Sequence, residues 1–184
     1  MLEIRKIIES DKDEVWKIIQ AVIATGDTYL FYPNSSKEKM LDWWCGADKQ
    51  TYVAISETPQ IMDELKNEDS FIHHVGASFI PQIVGTFFLK ANQPDLGSHI
   101  ANAGYMVAPE AKGKRVGKTM GEFSLQEAKR LGYKAMQFNF VVKSNEIAVK
   151  LWQNLGFEII GEIPEAFQHA ENGLTNALIM YRKL

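Results

Sequence analysis

Four cationic side chains, Lys112, Lys114, Arg115 and Lys118, crowd around Gly113 and Gly117 in the stretch VAPEAKGKRVGK at positions 107–118. Downstream, Val116, Met120, Phe123, Ala128 and Leu131 recur at helical spacing, which puts the cations at the start of a helix. A helix N-terminus carries about half a unit of positive charge and favours acids in its first turn, so this run opposes the local electrostatics. The mismatch points to an anionic ligand. Successive backbone N–H groups in such a turn can bind phosphate oxygens, and the two glycines let the backbone approach without a Cβ. The ordinary alternative is a solvated basic face with incidental glycines.

Spacing narrows the choice. A Walker A loop requires G-x-x-x-x-G-K-[ST], and Gly113 to Thr119 has one residue too few between its glycines. No G-x-G-x-x-G run opens the helix, so a dinucleotide fingerprint is absent as well. Asn102 and Asn139 form a second pair of interest, as polar amides inside the apolar stretches IANAGYMV and AMQFNFVV. If buried they need partners. Satisfying nearby strand backbone is their plainer role, and contact with a substrate is the functional one.

The elements that must position these groups read off as follows. LEIRKI alternates like a strand, and SDKDEVWKIIQAVIAT has Ser10 or Asp11 as a cap before helical periodicity. After GDTYLFYPN, a loop of turn formers and aromatics, Ser35 and Glu38 make a capping-box pattern for a second helix through SSKEKMLDWW. TYVAIS is the next strand, and the acidic residues 57–70 are expected to be an insertion or long loop, partly helical. IVGTFFLKA and HIANAGYMVA suit a hairpin across NQPDLGS, which contains both Pro and Gly. The cationic helix ends at Gly132, the strand AMQFNFVV follows, then the helix NEIAVKLWQNLG and the strands FEIIGEI and LTNALIMYRKL. Strand–helix–strand units occur only in the second half. The order therefore predicts an α/β mixed sheet with helices on both faces, not a doubly wound Rossmann sheet.

The chain of 184 residues fits a single domain over 1–184. An apolar fraction of 46%, a charged fraction of 23% and a net charge of −3 describe a globular protein and argue against general affinity for nucleic acid. Cys45 stands alone, which excludes an intrachain disulfide and a cysteine-built zinc site. The first residues lack a signal-peptide layout and no window reaches 18 uninterrupted apolar residues. The expectation is a cytoplasmic protein without a membrane partner or a metal.

The cationic run fits the pattern R/Q-x-x-G-x-G/A, with Lys112 in the first place, Arg115 in the fourth and Gly117 in the last. In this it resembles the pyrophosphate loop of the GNAT acyltransferases. NEIAVKLWQNLGF is similar to the second signature of that superfamily, N-x-x-A-x-x-L-Y-x-x-x-G-F, at Asn145, Ala148, Leu151, Trp152, Gly156 and Phe157. These blocks cover roughly residues 100 to 160, and the N-terminal half matches in its order of elements alone. NAGYMV, AMQFNFVV and NQPDLGSH further resemble the branch that acetylates small cyclic imino acids such as azetidine-2-carboxylate.

The resemblance implies the GNAT fold, a mostly antiparallel mixed sheet splayed between the two strands that flank the pyrophosphate-loop helix, with acetyl-CoA as cosubstrate. Pantetheine would lie in the gap, held by the backbone of Tyr105, Met106 and Val107, with Met106 as the backbone oxyanion contact. Amides from Gly113 through Lys114, Arg115, Val116 and Gly117 to Lys118 would bind pyrophosphate, with Lys112 nearby. Asn145, Ala148 and Trp152 would also meet the cofactor, although Asn145 can equally be a helix cap.

The acceptor implied is a small amine, above all a proline-like imino acid. Asn102 would bind its carboxylate, acting as a catalytic-site residue, with the N–H groups of Asn139 and Phe140 completing the clamp and Tyr29 and Tyr32 in the bordering loop. Other acceptors in view are a protein N-terminus, an aminoglycoside or a polyamine, which the acidic segment 57–70 would attract; a catalytically silent acyl-CoA-binding module is the reading from another class. A homodimer is compatible with all of these. Chemistry would be direct transfer to a positioned amine. Relatives often carry a carboxylate base on the strand before the loop, but IANAGYMV has none, and His99 is a candidate by position only. The family's thiolate proton donor is a tyrosine where this chain has Trp152, whose indole N–H is no acid at neutral pH.

Overall fold

The computed structural model describes residues 2–60 and 78–184. Within them the elements follow the expected order: β1 (Leu2–Lys6), α1 (Lys12–Ile23), α2 (Lys37–Trp44), β2 (Gln50–Gln60), β3 (Ser78–Ala91), β4 (Ile100–Val107), α3 (Val116–Arg130), β5 (Ala135–Val142), α4 (Glu146–Asn154), β6 (Glu158–His169) and β7 (Gly173–Lys183). The strands form one sheet in the order β1-β2-β3-β4-β5-β7-β6. Every neighbouring pair is antiparallel except β4 and β5. Those two run parallel because α3 carries the chain from the end of one back to the start of the other. They pair only at Ile100 with Ala135 and Ala101 with Met136. Beyond these residues the sheet forks, opening toward Val107 and the start of α3.

Side-chain alternation assigns the faces. Phe88 meets Trp43 and Trp44 of α2 edge-on, at centroid distances of 5.4 and 5.0 Å. Its neighbour Phe87 points the other way, stacking on Tyr52 at 4.8 Å and meeting Phe123 of α3 at 6.1 Å. Helix α1 contributes the buried stripe Val15, Ile18, Ile19 and Ile23. Trp44 is wholly buried, and its indole donates to Thr86 Oγ1 at 3.0 Å, while Thr86 donates to the Tyr52 carbonyl at 2.9 Å. Each such bond contributes about 1 kcal/mol net and would cost more if left unmade in this interior. Helices α1 and α2 thus cover one face of the first four strands, and α3 and α4 the other.

Three expectations need correction. Residues 57–60 belong to β2, paired with Ser78–Pro81 of β3 past the point where β1 ends at Ser56. Polar residues without hydrophobic alternation did not mark this part of the ribbon as strand; the remainder of the expected 57–70 loop lies outside the described residues. Ser36, not Ser35, caps α2, because Ser36 has the extended backbone of a cap and accepts from the Lys39 N–H at 3.3 Å. Asp11 precedes α1 without capping it. Its carboxylate accepts instead from the Ile8 N–H at 2.8 Å and from Arg5 at 2.6 and 3.0 Å, tying β1 to the turn before α1.

Candidate active site

At the open end of the fork stands the turn before α3. Gly113 has φ +79 with open space where a Cβ would stand. Arg115 lies at φ 65 in the left-handed region, at the position before the first helical residue, and offers no side-chain cap. The N–H groups of Val116, Gly117 and Lys118 donate to no protein acceptor among the described residues, and the next, that of Thr119, returns to the Arg115 carbonyl at 3.0 Å. Lys112, Lys114, Arg115 and Lys118 are all exposed. Among the described residues, of these four only Lys118 has an acidic partner, Glu122 at 3.6 Å. Free helix donors ringed by exposed cations suit an anion in charge and geometry.

The fork itself offers backbone. Ala108 N–H donates to the Val84 carbonyl at 2.9 Å, and Asn92 N–H donates to the Ile100 carbonyl at 2.8 Å. Both ends of β4 therefore turn their even-numbered residues toward β3, and the uninterrupted register between them extends this to Asn102, Gly104 and Met106. Tyr105 and Val107 turn their peptide groups into the fork instead, together with Ala103. Met106, expected to supply the oxyanion contact, faces β3 with its backbone and is 1% exposed. The Tyr105 carbonyl accepts a 2.9 Å bond from the Tyr29 hydroxyl. Burial pushes the Tyr29 phenol up from its ordinary pKa, so it stays a donor.

Beneath the fork on the α3 and α4 side lies an aromatic cluster. Trp152, 7% exposed, sits 4.7 Å from both Tyr105 and Phe138, and Phe138 stacks on Phe157 at 4.4 Å. The Tyr105 hydroxyl lies 2.6 Å from Ser124 Oγ, which itself donates to the Gly121 carbonyl at 2.7 Å. With the Ser124 proton on that carbonyl, the phenol donates inward, to Ser124 Oγ with Met136 Sδ at 3.7 Å. Asn145 caps α4 by accepting from the Ala148 N–H at 3.1 Å.

The α1 and α2 face is polar at the closed end of the fork. Asn102, the first residue past the last β4–β5 pair, donates from its amide to the Gln137 carbonyl at 2.8 Å, bridging the two strands. Gln137 Nε2 donates to Asn139 Oδ1 at 2.8 Å, and Asn139 Nδ2 donates to Asn92 Oδ1 at 2.7 Å. Asn139 and Phe140 lie in a bulge of β5, between the pairs Phe138 with Met180 and Val141 with Leu178. Across the opening, the Ala170 N–H after β6 donates to the Gly26 carbonyl after α1 at 3.2 Å. His99 stands in the turn before β4, its Nδ1 at 3.1 Å from the Leu96 carbonyl. Tyr32 is 77% exposed in the loop between α1 and α2. Among the described residues no group of three or more His, Cys, Asp or Glu could hold a metal ion. Asn92 and Gln137, which fix the Asn139 amide, carried no signal in the sequence beyond being polar.

A sheet forked at its one parallel pair, with an anion-receptive helix start at the open end, defines the class as the GNAT fold. The chain belongs to the acetyltransferase (GNAT) family, whose model matches residues 31–157. It is similar to the N-acetyltransferase aca1 of Schizosaccharomyces pombe, 36% identical over 84 residues that make up 46% of this chain and 40% of that protein. It is also similar to Protein SPT10 of Saccharomyces cerevisiae, 24% identical over 169 residues, 78% of this chain and 26% of that one. The match thus spans less than half the length of these curated relatives. Among solved structures, a GCN5-related N-acetyltransferase from Kribbella flavida is 31% identical with TM-score 0.80, over 100% of this chain and 98% of that one. A phosphinothricin acetyltransferase from Sinorhizobium meliloti in complex with acetyl-CoA shares the fold at 18% identity and TM-score 0.75, over 100% and 88% of the two chains. No helix of the described residues is long and apolar enough to cross a membrane.

Proposed function

We propose that this chain is an acetyl-CoA-dependent N-acetyltransferase that passes acetyl directly to the nitrogen of a small amine bearing a carboxylate, with a proline-like imino acid as the favoured acceptor. The observation that carries the reading is the fork. It is an unpaired stretch of β4 and β5 with peptide groups turned inward, ending at free N–H donors of α3. Those donors, with Lys112, Lys114, Arg115 and Lys118, suit a pyrophosphate, and Asn145 and Ala148 at the start of α4 stand as further cofactor contacts. The fork-facing peptides of Tyr105 and Val107 suit the pantetheine amides. The oxyanion contact falls to one of their N–H groups rather than to Met106, whose peptide is turned to β3.

The acceptor would lie on the α1 and α2 face. Asn102 and Asn139 are held there by Gln137 and Asn92 with further amide N–H left over, and the β5 bulge frees the Asn139 and Phe140 N–H groups from regular pairing. A donor-rich floor suits a carboxylate. Attack by the neutral amine forms a tetrahedral oxyanion with an extra proton on nitrogen; that proton passes to solvent water, and collapse breaks the C–S bond. With Trp152 buried and the Tyr105 proton held by Ser124, the thiolate takes its proton from water.

The test is release of free CoA thiol from acetyl-CoA with azetidine-2-carboxylate, cis-4-hydroxyproline and a panel of simple amines, polyamines, peptides and aminoglycosides. Turnover of the imino acids ahead of the panel is expected. Activity confined to peptides or polyamines would overturn the acceptor class. Acetyl-CoA binding with no turnover anywhere would make the chain a silent acyl-CoA-binding module.

A further inference from the structure

The polar floor has a charged border. Residues 88, 90 and 92 of the β3 strand and its continuation share one face, and Phe88 fixes it as the α2 face. Lys90 is the direct register partner of Asn102, so their Cβ atoms are cross-strand neighbours about 4.5–5.5 Å apart, on the face where Asn92 holds Asn139. Lys90 Nζ lies 3.3 Å from Asp48 Oδ2, while Asp48 Oδ1 takes a closer contact, 2.7 Å, from Lys49.

The two lysines differ in freedom. The Lys49 side chain is 6% exposed, with its ammonium over the rings of Trp43 and Phe88 at 5.2 and 5.8 Å. That ammonium is committed to Asp48 and the two rings. The Lys90 side chain is 32% exposed and among the described residues has only the longer contact. Among the described residues one carboxylate faces two ammonium groups, leaving one positive charge in excess beside amides that carry none. A site with surplus positive charge and spare amide donors lacks an anion.

We infer that Lys90 is a specificity-determining residue that pairs with the acceptor's carboxylate next to Asn102, and that Asp48, anchored by Lys49, parks the Lys90 ammonium when no acceptor is bound. The inference rests on the proposed acceptor reading and adds the charge that separates a free carboxylate from its neutral analogues. No bond is made or broken at Lys90. Its role is to bind and orient.

The experiment compares azetidine-2-carboxylate with azetidine-2-carboxamide, for the wild-type protein and for Lys90→Met, which keeps the length of the stem. For the acid, kcat/KM is expected to fall about 10- to 100-fold in the variant, chiefly through KM, as loss of a charge-assisted hydrogen bond implies. The carboxamide should change less than about twofold, and Lys90→Arg should recover part of the loss for the acid. The KM for acetyl-CoA, bound at the far end of the fork, should stay constant. Equal losses for acid and amide, or none for either, would overturn the inference while leaving the acetyltransferase intact. If the wild type acetylates neither compound, the acceptor reading falls by itself, and a proline titration followed by NMR of the Asn102 and Asn139 amide resonances decides the site. Shifts present in the wild type and lost in Lys90→Met uphold the carboxylate site; no shifts in the wild type sink it.

Discussion

Arg115 shows what one residue adds to a family pattern. The pattern has glycine there, and the backbone at φ 65 gives the reason, since a left-handed conformation costs a side-chain-bearing residue about 1–2 kcal/mol. An exposed arginine without an ion-pair partner among the described residues, kept in that conformation, is well placed to grip a phosphate. Arg115→Gly is therefore expected to leave stability within about 1 kcal/mol of wild type, because relief of strain is offset by the freedom glycine gains on unfolding. The same variant should weaken acetyl-CoA roughly 5- to 10-fold, with a shallower salt dependence. Calorimetric titration at two ionic strengths reads both effects, and unchanged affinity would mean that the side chain points away from the cofactor. The cations around Arg115 were legible in the sequence because they crowd against a helix dipole, and Asn102 because it interrupts an apolar strand. The Tyr29 bond to a carbonyl 76 residues away was not, nor was the meeting of Asp48, Lys49 and Lys90. No local rule is broken at those positions, and only the sheet register brings them together.

At the scale of elements, α3 carries two glycines one turn apart with opposite packing. A methyl at Gly117 would find Leu151 and Val107 at 3.5 and 3.7 Å, ordinary contacts. At Gly121 it would meet Leu155 Cδ1 at 2.6 Å and the Trp152 ring at 3.2 Å. Gly117→Ala should raise stability by up to about 1 kcal/mol, whereas Gly121→Ala should cost about 1–3 kcal/mol as the helix is pushed off the aromatic cluster. Urea midpoints measured without ligand check the pair, and a shift of the same sign in both would contradict the packing. The C-terminal ends of α3 and α4 were well marked in the sequence, since Gly132 and Gly156 have the left-handed φ of +92 and +79 that their places there imply, whereas the caps at the starts of α1 and α2 were not. Strand ends were read short. β6 was expected as FEIIGEI and runs from Glu158 to His169, because two register shifts and Pro164 break its alternation on a sheet edge. The fork could be expected from the family resemblance alone, since hydrophobic periodicity carries no mark of where two parallel strands stop pairing.

Over the whole molecule, the fork divides the sheet into a β1–β4 arm and a β5–β7 arm. They are joined by two register pairs, the Asn102 and Asn139 amides, the Lys134 to His99 and Ala170 to Gly26 backbone bonds of 2.8 and 3.2 Å, and the aromatic cluster. The first arm is further tied by two carboxylates, one on α3 and one in the turn before α1, that accept from its strands. Glu127 on α3 accepts from Tyr52 of β2 at 2.8 Å and from Arg130 at 2.6 and 2.7 Å, and Asp11 holds Arg5 of β1. Arg130 draws the Glu127 carboxyl down to about 2 against the opposing effect of burial, and Arg5 lowers that of Asp11. A carboxylate more acidic in the folded state than in the unfolded one stabilises fully above its unfolded value, near 4.5 for Glu127, and loses that contribution as pH falls toward the folded value. Stability should therefore drop between about pH 5 and pH 2, with the first arm loosening first. Because Arg130 is exposed and screened, Glu127→Gln should cost only about 1–2 kcal/mol at pH 7, and the gap to wild type should close as pH approaches 2. Urea unfolding at pH 7, 4.5, 3 and 2 gives the two curves, and a gap that stayed constant across this range would show that the carboxylate charge does not tie α3 to the sheet.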